Sequence, residues 1–226
     1  LGDGNALIMK TRDMVEVIEA LYDSFPALET VACYGMGRDI LYKGPDELRH
    51  LREAGLNCIY MGLETGDDEL LGIIDKGASQ KQMIDAGIKI KEAGMILSQY
   101  VILGLGGRER WQQHADGTAY ILNHTEPDFI RPRTITVLQG TPLFDMQSGG
   151  QFTMPSPQET LTEERRLLEG LDVTSEFQSD HHSNYLSLSG KLPEDKEYLI
   201  AAIDWVLAQP PEVQGRLLRR HEGVYV

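Results

Sequence analysis

Cysteine is nearly absent from this sequence. Cys33 and Cys58 are the two in 226 residues, well separated, too few for a disulfide framework, so a reducing cytoplasm is the expected compartment. Long apolar runs are missing as well. No stretch approaches the roughly 18 to 20 apolar residues that cross a bilayer, and no signal peptide is visible, so no membrane partner is expected. Positive charge is scarce: 21 Lys and Arg stand against 35 Asp and Glu, a net charge of −14. Phosphate contacts need a basic face, so no nucleic-acid partner is expected either. An acidic surface does not decide which small molecules bind. No GxxxxGK[ST] phosphate loop and no serine nucleophile elbow occur, and GLGGRE at 104–109 lacks the third glycine of a dinucleotide loop. The histidines do not fall at metal-ligand spacing. His181 and His182, read as part of an extended segment, point to opposite faces, and no metal is expected from this chain alone.

What is present is an ordinary globular composition, 41% apolar and 25% charged. The sequence starts in a glycine turn, LGDGN, of the kind that ends a strand. The hydrophobic period then alternates. Met14, Val15, Ile18, Leu21, Tyr22 and Phe25 recur at helical spacing, and ETVACYG (29–35) reads as a strand. A helix over about 45–54 has Pro45 in its first turn and Gly55 at its end. NCIYMGLE (57–64) reads as a strand covered on both faces. Helices are expected over about 67–75 and 79–93, then a strand in ILSQYVILGL (96–105), a helix over 109–123 and a strand in DFIRPRTITVL (128–138). Strand–helix alternation with short connections is the signature of βα units around a parallel sheet. The rhythm breaks after that. Residues 145–158 read as a loop, 157–171 as an amphipathic helix, SDHHSNYLSLSGKLP (179–193) as extended chain, and 194–208 and 210–220 as helices. The expected domains are therefore 1–145, a βα unit array, and 146–226, a loop and helical extension.

Ligands of parallel α/β folds sit where the strands end. Here the strand ends are Gly2–Asn5, Tyr34–Gly37, Gly62–Gly66, Gly104–Glu109 and Gln139–Leu143, and all contain glycine. Glycine permits positive φ and close ligand approach, and it is also how short βα loops turn. Any single loop is read as a turn; their coincidence on one rim favours a ligand. Strand alternation puts Cys58, Tyr60, Gly62 and Glu64 on one face and Ile59, Met61 and Leu63 on the other. Glu64 is then either a solvated rim residue that caps the next helix, or a carboxylate facing the mouth. Arg131 and Arg133 share a face of the fourth strand. Either they face the lumen and hold a carboxylate, or they reach solvent from an edge strand; burial without an anion is costly.

Taken in order, these motifs resemble the radical S-adenosylmethionine (radical SAM) enzymes. Gly2–Asn5 is similar to the family's GGE element, with Asp3, Gly4 and Asn5 in that position and Asn5 where glutamate is usual. YMGLETGDDELL (60–71) is similar to its fourth-strand motif, ILGLGGRE (102–109) to its fifth-strand GxIxGxxE element, and VLQGTPLF (137–144) to its PGTPL loop. The tail, DHHSNYLSLSGKLPEDKEYL (180–199), resembles an uncharacterised subfamily akin to the oxygen-independent coproporphyrinogen III oxidases. The resemblance runs from residue 1 to about 206. It implies an α/β fold, an incomplete (βα)6 TIM-like barrel missing its first strand, with a C-terminal helical extension.

The resemblance also implies the chemistry. A 4Fe–4S cluster held by a C-x3-C-x2-C loop reductively cleaves S-adenosylmethionine, and the 5′-deoxyadenosyl radical takes hydrogen from a substrate. That loop is expected ahead of Leu1, and Cys33 and Cys58 cannot replace it, so the chain by itself is expected to be inactive. Asp3, Gly4 and Asn5 are implied to accept from the methionine ammonium, mainly through backbone carbonyls, and Glu64 to hold the ammonium or ribose. Gly104, Leu105 and Gly106 are implied to let backbone reach the adenine, with Thr141 nearby. Arg131 is implied to partner the methionine carboxylate or Glu64. His182, Asn184 and Tyr185 are implied on the substrate side. An electron donor and a small-molecule or other unknown substrate are the implied partners; no residue is assigned to catalysis itself. The alternative is a non-catalytic (βα) barrel that binds a ligand or partner. A weaker third reading, an aldolase-type barrel, lacks a strand-end lysine.

Overall fold

The computed structural model describes residues 1, 2 and 4–218; Asp3 lies outside them. Six strands form one sheet in sequence order: β1 (Val31–Gly35), β2 (Leu56–Glu64), β3 (Ile96–Leu103), β4 (Phe129–Thr134), β5 (Glu176–Ser179) and β6 (Leu188–Lys191). The first five are parallel and β6 returns antiparallel to β5. The fold is a mixed α/β, partial TIM-like array of βα units.

The helices form where caps and apolar stripes coincide. α1 (Thr11–Ser24) buries Met14, Val15 and Ile18. A six-residue α2 (Gly37–Tyr42) follows β1, and α3 (Pro45–Glu53) starts with proline at its first position, the Glu47 carboxylate accepting from Gly44 N at 2.8 Å. α4 (Asp68–Ile73) is capped by Asp67, whose Oδ1 accepts from Glu69 N at 3.1 Å. α5 (Gln80–Glu92) has a capping box in which Ser79 and Gln82 bond each other's backbone N–H, and Ser156 with Glu159 does the same for α8 (Pro157–Gly170). α6 (Gly107–Thr125) lies between them.

Three stretches differ from the sequence reading. Residues 145–158 begin inside a helix, α7 (Pro142–Ser148), because Thr141 caps it and Pro142 occupies its first position. The tail 179–193 is not extended throughout: a turn over 181–186 separates β5 from β6, so the segment after residue 146 adds two strands to the sheet as well as α9 (Lys196–Leu207) and α10 (Pro211–Leu217). β2 is covered on one face only. Ile59, Met61 and Leu63 are fully buried against the helices, while Tyr60, Gly62 and Glu64 are half-buried on the inner face. That inner face is open because it lines a cavity.

Candidate active site

The cavity lies over the carboxyl ends of β1 to β4. It holds about 740 Å³, and its lining includes Gly4, Asn5, Tyr34, Tyr60, Gly62, Glu64, Lys76, Tyr100, Arg133 and His181, a size suited to a small organic ligand.

Glu64 faces this mouth. Its backbone is left-handed, φ 65°, which is unusual for a residue with a Cβ. That turn folds the carboxylate back over Gly62, where Oε1 accepts from Lys76 Nζ at 3.0 Å. A Cβ at Gly62 falls 2.3 Å from that oxygen, so the glycine is what leaves room for the pair. Glu64 does not cap α4; Asp67 does. Asp67 is in turn gripped by Arg110, Nε to Oδ2 at 2.7 Å and Nη2 to Oδ1 at 3.0 Å, and this hydrogen-bonded guanidinium holds the carboxyl below its ordinary range against the opposing effect of burial.

The floor is aromatic. Tyr34, Tyr60 and Tyr100 come from three adjacent strands, with ring centroids 5.4, 6.1 and 6.4 Å apart. The guanidinium of Arg131 lies 5.8 Å from the Tyr60 ring and 5.2 Å from Phe129, and its Nε donates to Ser98 Oγ at 2.9 Å. Arg133 sits 5.2 Å from the Tyr100 ring, and its Nη1 donates to Pro132 O at 2.8 Å. Both arginines are half-buried on the inner face. Among the described residues neither meets a carboxylate within 4.0 Å, so the expected pairing of Arg131 with Glu64 is not formed; Glu64 is taken by Lys76.

The other expected site residues divide. Gly4 and Asn5 reach the cavity, yet the Asn5 amide is engaged on both sides: Oδ1 accepts from Met36 N at 3.2 Å and Nδ2 donates to Asp39. Leu105, Gly106 and Thr141 line a separate apolar cavity of about 370 Å³ together with Leu143 and Phe152. At Gly104, φ 81°, a Cβ would fall 3.2 Å from both Ile135 and Pro155, and the glycine N–H donates to Glu163 Oε1 at 2.7 Å. The rings of His181 and His182 lie 3.9 Å apart, tilted by 42°, instead of diverging, because the backbone there turns. Asn184 is buried in a clamp on β4: Nδ2 donates to Pro132 O at 3.0 Å and Oδ1 accepts from Thr134 N at 2.8 Å. Tyr185 packs against the core. Cys33 and Cys58 are buried, and burial pushes their thiols up to about 12 and about 11.

Sequence reasoning missed a buried polar group behind the rim. His114 Nδ1 lies 2.7 Å from Thr65 Oγ1, and its Nε2 lies 3.4 Å from Glu163 Oε1. Burial lowers the imidazole to about 4 and raises Glu163 to about 8 and the neighbouring Glu164 to about 7. A signal existed: Glu164 falls three residues after Leu161 and four before Leu168, inside the apolar stripe of α8. Lys76 carried no such signal, since only the turn after α4 brings it to Glu64.

Residues 6–115, just under half of the chain, match the family model of the Radical SAM superfamily. Among solved structures it is similar to the archaeal Elp3 of Methanocaldococcus infernus with its amino terminus deleted, at TM-score 0.62 and 13% identity over 96% of this chain and 54% of that one. It is also similar to coproporphyrinogen III oxidase (HemN) of Escherichia coli, at TM-score 0.55 and 17% identity over 74% of this chain and 37% of that one. Methylornithine synthase (PylB) aligns at TM-score 0.51 and 15% identity over 91% of this chain and 65% of that one. At these identities the likeness is one of fold. The chain spans about half the length of the Elp3 structure. No curated protein sequence matches it. No described helix is long and apolar enough to cross a membrane.

Proposed function

We propose that this chain provides the S-adenosylmethionine-facing cavity of a radical SAM enzyme that acts on a substrate still to be identified. The observation that carries the reading is that the segment matching the superfamily, residues 6–115, supplies most of the lining of the cavity at the strand ends.

The residues present fit S-adenosylmethionine. Glu64 offers a carboxylate to an ammonium, in exchange for Lys76. Gly4, at φ 86° and with nothing within 4 Å of where a Cβ would stand, leaves its backbone open to a ligand. The tyrosine floor presents ring faces to a base. The two thiols do not fit a 4Fe–4S cluster. They lie in the core, burial keeps them protonated, and a cluster requires several thiolates at close range. In this reading the cluster takes its ligands from outside these residues, and an external donor supplies the electron. Bound together, cluster and cofactor supply one-electron chemistry that removes a hydrogen atom from a substrate. The chain's own part is to bind, orient and exclude water: Glu64 and Lys76 at the rim, the tyrosines beneath. The reading places the protein in the cytoplasm, where Cys33 and Cys58 stay reduced.

Equilibrium dialysis of the chain against S-adenosylmethionine tests the reading. Saturable binding is expected, weakened about tenfold in Glu64→Gln by loss of a charge-assisted bond. Absence of binding to the unsubstituted chain overturns it.

A further inference from the structure

The cavity is a positive patch in an acidic protein. The whole chain carries −14, yet the charged groups lining the cavity are Glu64, Lys76, Arg133 and, when protonated, His181. Glu64 and Lys76 neutralise each other at 3.0 Å. Arg133 remains as the uncompensated charge of that lining. The groups it touches are neutral: the Pro132 carbonyl at 2.8 Å, the Gln178 carbonyl at 3.5 Å and Tyr100, over whose ring it lies at 5.2 Å; the charges of Arg131 and Asp180 act on it through space, but among the described residues no carboxylate comes within 4.0 Å of it. A half-buried guanidinium without an anion in contact is an incomplete arrangement, because its fork is shaped for two oxygens in a plane.

Arg133 is also held in place before any ligand arrives. The Asn184 amide pins the backbone on both sides of it, accepting from Thr134 N at 2.8 Å and donating to Pro132 O at 3.0 Å. The guanidinium therefore projects from a fixed strand onto the edge of the tyrosine row. Low-dielectric walls and a guanidinium with no carboxylate in contact focus attraction on an anion entering from solvent.

We infer that this cavity takes an organic oxyanion, its carboxylate or phosphate oxygens on Arg133 and a planar or unsaturated body against Tyr100, the ring beneath that guanidinium, as the substrate that accompanies S-adenosylmethionine on the rest of the tyrosine row. The inference rests on the reading of the cavity as a radical SAM site given above. It names the substrate class of that site and assigns Arg133 as the residue that selects it.

Saturation-transfer NMR on the full chain, with S-adenosylmethionine present, uses three probes of similar body: 3-phenylpropionate, phenyl phosphate and the neutral 3-phenylpropanamide. At least one anion is expected to bind about tenfold more tightly than the amide, and the tighter of the two identifies the oxyanion. Arg133→Gln is expected to remove the preference while S-adenosylmethionine is still retained in dialysis; Arg133→Lys, which keeps the charge without the fork, is expected to restore part of it. Equal binding of all three probes overturns the inference, as does a preference that survives Arg133→Gln. Loss of S-adenosylmethionine in Arg133→Gln, with the anions competing against it, also overturns the inference, since the oxyanion held there is then the cofactor's own carboxylate. Failure of the unsubstituted chain to bind S-adenosylmethionine strikes the reading of the site instead, and the probe preference is still read on the same samples.

Discussion

The backbone of Gly66, just past the end of β2, rests directly on the backbone of Gly117 in α6: a Cβ at Gly66 falls 2.0 Å from Gly117 O, and one at Gly117 falls 2.6 Å from Gly66 O. Gly66 N also donates to Thr118 Oγ1 at 3.0 Å. The contact seats the strand-end loop that carries Glu64 against a helix, and neither partner has a flexible side chain that could yield.

Gly66→Ala is therefore expected to destabilise the fold by several kcal/mol, above the usual range for a single substitution. Urea denaturation followed by circular dichroism checks it. A loss below about 1 kcal/mol, a typical value for any position, contradicts the packing described.

Gly62→Ala is a milder test of the same rim. Its Cβ meets the far ends of two side chains, Glu64 Oε1 at 2.3 Å and Lys76 Nζ at 3.1 Å, which can move aside. The fold is expected to survive with a loss of about 1 kcal/mol, while S-adenosylmethionine binding weakens about tenfold because the Glu64 carboxylate is displaced. Unchanged binding counts against a role for the folded-back carboxylate.

Thr65→Val removes the hydroxyl that lies 2.7 Å from His114 Nδ1 and accepts from Asp67 N at 3.1 Å. Two buried polar groups lose a partner, so a cost of about 1–3 kcal/mol is expected. Thr65→Ser, which restores the hydroxyl, is expected to recover most of it, and equal stability of the valine and serine variants speaks against the bond.

Stability should depend on pH through the same buried group. Glu163 and Glu164 are raised from an ordinary value of 4.5 to about 8 and about 7 by burial. The folded chain thus holds protons that the unfolded chain has released, and their contribution, present below 4.5, is lost as pH rises toward 8. His114, lowered from 6.5 to about 4, acts oppositely: the unfolded chain binds the extra proton, so stability rises with pH up to 6.5. Above 6.5 the glutamates act alone. Between pH 6.5 and 8 the unfolding free energy is expected to fall, by at most about 1.4 kcal/mol per pH unit for each group, and the urea midpoint with it. Glu163→Gln should flatten the slope; a wild-type midpoint that rises across this window refutes the assignment.

Cys33 and Cys58 are expected not to react with a thiol-specific disulfide reagent at pH 8 in the native chain, since burial holds both thiols protonated. Both should react at once in urea. Rapid native reaction of either contradicts its place in the core.

What could be read from the sequence follows the length of each signal. The alternation in β2 put Glu64 and Tyr60 on one face because nine residues repeat the pattern, and the capped, periodic helices α3, α5 and α8 were legible for the same reason. α2, β5 and β6 escaped because four to six residues hold too little period to register. Arg131 and Arg133 were legible as a shared face but not as partners of tyrosines, since the rings come from strands that only the sheet brings alongside. The link from Glu163 to Gly104 joins a helix and a loop far apart in sequence, and local patterns do not encode it.

The clamp of Asn184 on β4 bears on the order in which the cavity is completed during synthesis. Each strand pairs with its neighbour in sequence, so a chain emerging from the ribosome can add strands one after another. The tyrosine row is finished with β3, at Leu103. Arg133, although made soon afterwards, has its flanking backbone fixed only when residue 184 arrives and folds back. The nascent chain thus carries an aromatic shelf first and a fixed cation last. A ligand that needs both must wait until residue 184 has been made and has folded back.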